Sequence, residues 1–278
     1  MVNYSELELL GFYPFNENES DNNILVDVGA HHGSVSKTFA KKGWDVIAFE
    51  PEEKNRNALK KNLNSFRTVK IISKAVSDKN DEIIPFYTSQ KHYGIHSIKP
   101  FHDTHKFAYE VKSTTLNSSL EEEEIKKVTF LKIDIEGADF LALKGFHILK
   151  YNPEIIMLEF MDDRSSENFG YTHHDVVKYM ASYPYICYVS EWAPIKEYGI
   201  EGVRSEPHTW INISKYPLNH NPAWGNLIFI KTESDKKFQR TINRYLKRIG
   251  VKKDRLAPIK KRILRIPLTQ FIYKKFIK

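Results

Sequence analysis

The hydrophobic pattern of the chain changes period again and again. Ile24 to Val28 is apolar apart from Asp27, as in a strand buried on both faces. After Gly29 and Gly33 the apolar positions Val35, Phe39 and Ala40 take helical spacing, which predicts a helix over 34–42. A second cycle follows, with a strand over 44–49 and a helix over 52–64. Pro51 is placed to start that helix, and Leu59 and Leu63 are i,i+4 partners. Further strands are expected at 69–73, 83–87, 108–115, 128–133, 154–160, 185–190 and 227–230, with helices over 138–149 and 174–182. Apolar strands alternating with helices predict a parallel sheet covered on both faces.

Three segments stand outside this rhythm. Residues 1–23 read as a lead-in, a short helix or extended chain ending in a polar turn. Residues 191–224 read as an aromatic loop within a domain spanning 24–232. The tail, 233–278, sets Phe238, Ile242, Tyr245, Leu246 and Ile249 at helical spacing among lysines and arginines, breaks at Gly250, and resumes with Ile259 and Ile263. A basic amphipathic tail suits an anionic membrane surface, a partner protein, or docking on its own domain.

Charge sharpens that division. Of the net +7, residues 231–278 contribute +14, with 17 basic and 3 acidic side chains, and the rest of the chain carries −7. An acidic body argues against a protein built to grip nucleic acid. The single cysteine, Cys187, excludes a disulfide framework and a cysteine-based zinc site. The opening residues lack the apolar core of a secretory signal, and no run of 18 apolar residues exists. The expectation is a cytoplasmic protein, with peripheral attachment to the inner membrane face through the tail.

The candidate chemistry starts at the first strand. Strand, glycine turn and helix start form the half-unit that binds a nucleotide-like ligand at the strand's carboxyl end. Glycines there let backbone approach a ligand. The spacing of Gly29 and Gly33 alone is equally compatible with a plain βα turn. The second strand ends in Glu50, 21 positions after Gly29, where an acidic side chain can accept ribose hydroxyls.

Together VDVGAHHGS, FEP and FLKIDIEGADFLALKGF resemble the FkbM family of S-adenosylmethionine-dependent methyltransferases, whose signature is K-I-D-x-E-G followed by an apolar stretch and a glycine. The resemblance covers residues 24–160 and extends more loosely to about 230. It implies a Rossmann-like, seven-stranded class I methyltransferase sheet with one late antiparallel strand. It also implies S-adenosylmethionine as cofactor. Gly29, Ala30, His31 and Gly33 would line its methionine and ribose part, and Asp27 would meet the α-amino group. Glu50, beside Pro51, would take the ribose hydroxyls. Ala75, Val76 and Asp78 would lie at the adenine, although Asp78 is equally a plain turn residue. The chain has His31 where the family usually carries Asn, and Asn117 where its T-L-D-S element usually carries Asp.

Asp134 would sit between cofactor and acceptor, with Glu136 two residues on. Either could orient or deprotonate a hydroxyl, or be a strand-end carboxylate held by backbone amides. His96 and Glu159 are further candidates, and histidine is the better matched base near neutral pH. His32, His173 and His174 belong to the same class of candidate. Trp192, Trp210, His208 and His174 are the expected acceptor contacts, because sugar rings stack on aromatic faces; packing the loop onto the core is the competing reading. No metal is expected. The leading expectation is an O-methyltransferase acting on a sugar hydroxyl of a polysaccharide, glycan or glycolipid. The alternatives are a methyltransferase of a small secondary metabolite, an RNA methyltransferase using the basic tail, and a binding protein without catalysis.

Overall fold

The computed structural model describes residues 3–15, 23–92, 94–195, 198–200, 208–219 and 224–251. Its strands are β1 (Ile24–Val28), β2 (Asp45–Phe49), β3 (Val69–Ile72), β4 (Ala75–Val76), β5 (Ile83–Ser89), β6 (His105–Thr114), β7 (Phe130–Ile133), β8 (Ile155–Met161), β9 (Tyr185–Trp192), β10 (Trp210–Lys215) and β11 (Trp224–Lys231). Its helices are α1 (Glu6–Gly11), α2 (Ser34–Ala40), α3 (Glu53–Leu63), α4 (Leu116–Glu122), α5 (Asp139–Lys144), α6 (Ile148–Tyr151), α7 (Asp162–Phe169), α8 (His173–Met180) and α9 (Asp235–Arg248).

The main sheet runs β10-β9-β11-β8-β7-β1-β2-β3. β3, β2, β1, β7 and β8 are parallel neighbours, and β11 pairs antiparallel with both β8 and β9. From β1 the chain winds outward through β2 and β3, then returns to β7 on β1's other side. The loops after β1 and β7 therefore part in opposite directions, opening a crevice at the carboxyl ends of these strands.

Strand side chains alternate between two buried faces, which is why their sequences read as continuous apolar runs. Leu25, Ile155 and Met157 face a core shared with Leu9 and Leu10 of α1, Phe39 of α2 and Leu59 of α3. Val26, Ile156 and Leu158 face Leu120 of α4, Leu143 of α5 and Val176 of α8. A smaller sheet, β4-β6-β5, stands beside the carboxyl end of the main one.

Among the described residues the main sheet has eight strands rather than the seven expected. The extra one, β10, lies inside the stretch read as an aromatic loop. It pairs antiparallel with β9 at the sheet edge and buries one apolar side chain, Ile213, too little to show as a period in sequence. Within the tail, α9 turns Phe238, Ile242, Tyr245 and Leu246 into the domain core, so this apolar face is covered by the protein itself and not offered to a membrane. The remainder of the tail, 252–278, lies outside the described residues. No helix among the described residues is long and apolar enough to cross a membrane.

Candidate active site

The crevice at the switch point is a cleft lined by the β1 turn, the end of β2, the β4 and β5 residues Ala75, Val76 and Phe86, and the loop after β7. Its floor is built from the β1 turn. Gly29 has φ +78°, and a Cβ there would fall 1.9 Å from the Asp134 carbonyl oxygen, so only glycine lets the two diverging loops touch. The Gly29 and Ala30 amides donate to the Phe49 carbonyl, tying the turn to the end of β2. Gly33, also at positive φ, caps α2 where a Cβ would meet Leu59 at 2.5 Å.

Glu50 ends β2 with its carboxylate set by two backbone amides. His31 N–H donates to Oε2 at 2.8 Å and Glu52 N–H to Oε1 at 2.9 Å. Burial pushes its pKa up to about 7 even though these amides pull the other way. Glu50, His31 and Pro51 line the cleft, as do Ala75 and Val76, which with Phe86 and Ile98 form an apolar wall. The His31 ring stacks on His32, and burial, then His32 and His96, bring its pKa down to about 4, so it is neutral.

Asp27, expected to meet the cofactor's amino group, lies fully buried beneath the cleft. Ser36 Oγ donates to its Oδ2 at 2.6 Å, and Lys132 Nζ stands 3.3 Å from its Oδ1. Lys132 also donates to the Gly29 carbonyl at 2.9 Å and lies 3.4 Å from Asp134 Oδ2. Burial alone would lower the Lys132 pKa, but Asp134 and Asp27 more than reverse that and hold it above the usual lysine range. Asp78 is not in the cleft lining; it pairs with Lys144 at 3.2 Å.

Asp134 and Glu136 both line the cleft. Glu136 sits at φ +59° in a turn held by Asp139, whose buried carboxylate accepts the Ile135 and Gly137 amides at 3.1 and 3.0 Å. Glu159, on β8, completes a group: one carboxylate oxygen from each of Asp134, Glu136 and Glu159 lies within 4.8 Å of the others. Burial, then the charges of Asp134 and Asp139, raise Glu159 well above the usual carboxylate range. Arg164 of α7 supplies the countercharge, pairing with Glu136 and standing 3.7 Å from Glu159.

His96 lines the cleft but accepts the Ser89 amide at Nδ1, 3.3 Å away. Burial lowers its pKa, and a neutral imidazole accepting at Nδ1 carries its proton on Nε2, which makes it a donor toward the cleft rather than a base. The aromatic residues expected at the acceptor divide. Trp210 stacks on Tyr4 at 4.3 Å, and Trp192 donates to Glu6 at 2.7 Å, so both pack the N-terminal segment onto the sheet. His174 bonds Tyr216 away from the cleft, beside His173, which is held by Asp162. His208 stacks on Trp224.

Sequence reasoning missed Lys132, Asp139 and Arg164. Lys132 had a signal, a charge within the buried strand FLKI, which demands a partner. Arg164 had none, since the buried positions of α7 are Arg164 and Ser165 and no apolar stripe marks the helix.

A doubly wound sheet, a cleft at its switch point, a glycine turn after β1 and a buried glutamate ending β2 define the class: a Rossmann-like class I methyltransferase. Residues 27–187 match the methyltransferase FkbM domain, and the chain belongs to that family of S-adenosylmethionine-dependent enzymes. Among solved structures it is similar to precorrin-6y C5,15-methyltransferase from Geobacter metallireducens GS-15, with 12% identity, TM-score 0.41, and 83% of this chain and 91% of that one covered. An rRNA methylase from Streptococcus thermophilus shares 10% identity at TM-score 0.39, covering 81% and 93%. M. capricolum TrmK, in complex with S-adenosyl-homocysteine, shares 9% at TM-score 0.42, covering 84% and 70%. No curated protein matches the chain.

The cleft fits the cofactor. Gly29, whose missing Cβ lets the β1 turn close on the Asp134 carbonyl, would present backbone to the methionine part, Glu50 would offer a preset carboxylate to the ribose, and Val76, Phe86 and Ile98 would give the adenine an apolar wall.

Proposed function

We propose that the protein methylates a hydroxyl oxygen on a sugar of a polysaccharide, glycan or glycolipid. The observation that carries this reading is the Asp134–Glu136–Glu159 group at the rim of the cofactor cleft. A neutral hydroxyl must lose its proton as it is methylated, and closely spaced carboxylates hold a proton jointly more tightly than an isolated one. Asp134 and Glu136, on the cleft wall, orient the hydroxyl. Glu159, half-buried on β8 within reach of both, keeps the proton within the group. Arg164 and Lys132 hold the cluster's geometry through Glu136 and Asp134. S-adenosylmethionine, when bound, supplies an electrophilic methyl on a positively charged sulfur. The acidic body, with its activated donor made inside cells, also fits a cytoplasmic enzyme acting on a non-nucleic acceptor.

The test is transfer of labelled methyl from S-adenosylmethionine to saccharides and to RNA. Saccharide labelling that drops by roughly 10²- to 10⁴-fold in Asp134→Asn, the usual worth of proton transfer, is the expected result. Labelling of RNA alone would sink the reading.

A further inference from the structure

A second cavity opens at the same end of the sheet, beyond Arg164. Its lining includes the rings of Phe101, Tyr198 and Trp224 and the polar groups of Asp163, Glu167 and Asn168. The rings come from three separate stretches of chain: the β5–β6 connection, the segment after β9, and the start of β11. Trp224 is brought there by its pairing opposite Met161 at the carboxyl end of β8.

Arg164 separates this cavity from the cofactor cleft. It lines the cavity, while its partner Glu136 lines the cleft. Its Cζ lies 3.9 Å from the centre of the Phe101 ring, and Nη2 donates to the Tyr198 hydroxyl at 3.0 Å. The guanidinium's charge is thus met by Glu136, while its Nε, in a side chain only 3% exposed, has no hydrogen-bond partner among the described residues. Asp163 and Glu167 stand one helical turn apart and are exposed.

We infer that this cavity is the acceptor subsite and that it takes a saccharide unit bearing no anionic group, a neutral or N-acetylated sugar. The inference rests on the function proposed above and adds where the acceptor binds and which sugars are admitted. Aromatic faces from several segments suit the CH faces of a sugar ring. Carboxylates and an amide accept from its hydroxyls. With Arg164 neutralised by Glu136, Asp163 and Glu167 leave the lining negative, which repels phosphate and uronate. The Arg164–Glu136 pair lies between this subsite and the cofactor cleft, so the unit held here is the neighbour of the one whose hydroxyl reacts at the carboxylate group.

The experiment is saturation-transfer NMR on the full chain with S-adenosylhomocysteine present, using chitotriose and trigalacturonate as probes, alongside labelled methyl transfer to chitotriose. Chitotriose is expected to give signal and trigalacturonate none. Tyr198→Ala should weaken chitotriose roughly tenfold, equivalent to ~1.4 kcal/mol, and leave the thermal shift by S-adenosylmethionine unchanged. Asp163→Asn with Glu167→Gln, both on the surface, should let trigalacturonate in. Absent chitotriose signal, or signal indifferent to Tyr198→Ala, overturns the subsite. Transfer to chitotriose that persists with unchanged KM in Tyr198→Ala overturns the subsite and leaves the proposed function standing. Binding at the cavity without any methyl transfer overturns the function and leaves a saccharide site.

Discussion

Lys132 Nζ stands 3.4 Å from Asp134 Oδ2, so the candidate catalytic carboxylate is anchored by a lysine that is itself almost wholly buried. The same ammonium group reaches Asp27 below and the Gly29 carbonyl beside it. One cation thus joins β1, the glycine turn and β7. Lys132→Met should leave Asp27 as an uncompensated buried charge. The expected loss is about 3–5 kcal/mol in urea unfolding, the range for breaking a buried pair from one side. The companion variant Asp27→Asn with Lys132→Met removes both charges and should recover part of that loss. A Lys132→Met protein as stable as wild type would refute the anchoring role.

Glu50 is preset by the His31 and Glu52 amides, so its carboxylate needs no rearrangement to meet a ribose. S-adenosylmethionine at ~100 times its Kd should raise stability by ~2.7 kcal/mol, roughly 5–10 °C in Tm for a chain of this size. Glu50→Ala should abolish most of that shift, and NAD should produce none. Calorimetric melting of both proteins with each ligand gives the answer, and an NAD shift would argue for a different cofactor.

Asp139 holds the turn that presents Glu136, and burial, then Asp134, raise its pKa to about 7, against the pull of the backbone amides it accepts. A carboxyl whose folded pKa lies above its unfolded value stabilises the fold fully below the unfolded pKa. That contribution is lost as pH rises through the folded value. Stability from Asp139 should therefore fall between about pH 4 and pH 7, by up to ~4 kcal/mol for a shift of this size. Asp139→Asn cannot ionise, so its unfolding free energy should decline less steeply over that window. Equal slopes for the two proteins would show that Asp139 does not titrate there.

The strand–turn–helix units at 24–64 and the K-I-D-x-E-G stretch were legible because strands buried on both faces must be apolar throughout and because their ends carry the site. The acceptor side was not. Trp192 and Trp210 are aromatic residues in a loop-like stretch, and nothing local reveals that Glu6, 186 positions from the first, and Tyr4, 206 from the second, take up their surfaces. Arg164 shapes the rim through contacts with Glu136, Phe101 and Tyr198, all distant in sequence, from a helix whose buried face is polar. Local periodicity records which face of an element is covered. It does not record which of several distant segments covers it.

The start of the tail shows the same limit with the opposite result. Its apolar positions predict a helix face, and the sequence leaves open what that face meets. In the structure Phe238 is fully buried against Tyr13 and Tyr188, and Tyr245 donates to Glu8, so α9 closes the core together with the N-terminal helix. Phe238→Ala should then cost ~3–5 kcal/mol, the range for emptying a buried aromatic site, and lower Tm by roughly 10 °C or more. Lys236→Ala, on the same helix at an exposed position, should change stability by less than about 0.5 kcal/mol. A Phe238→Ala protein that melts with wild type, but loses binding to anionic vesicles, would instead make this face a membrane surface.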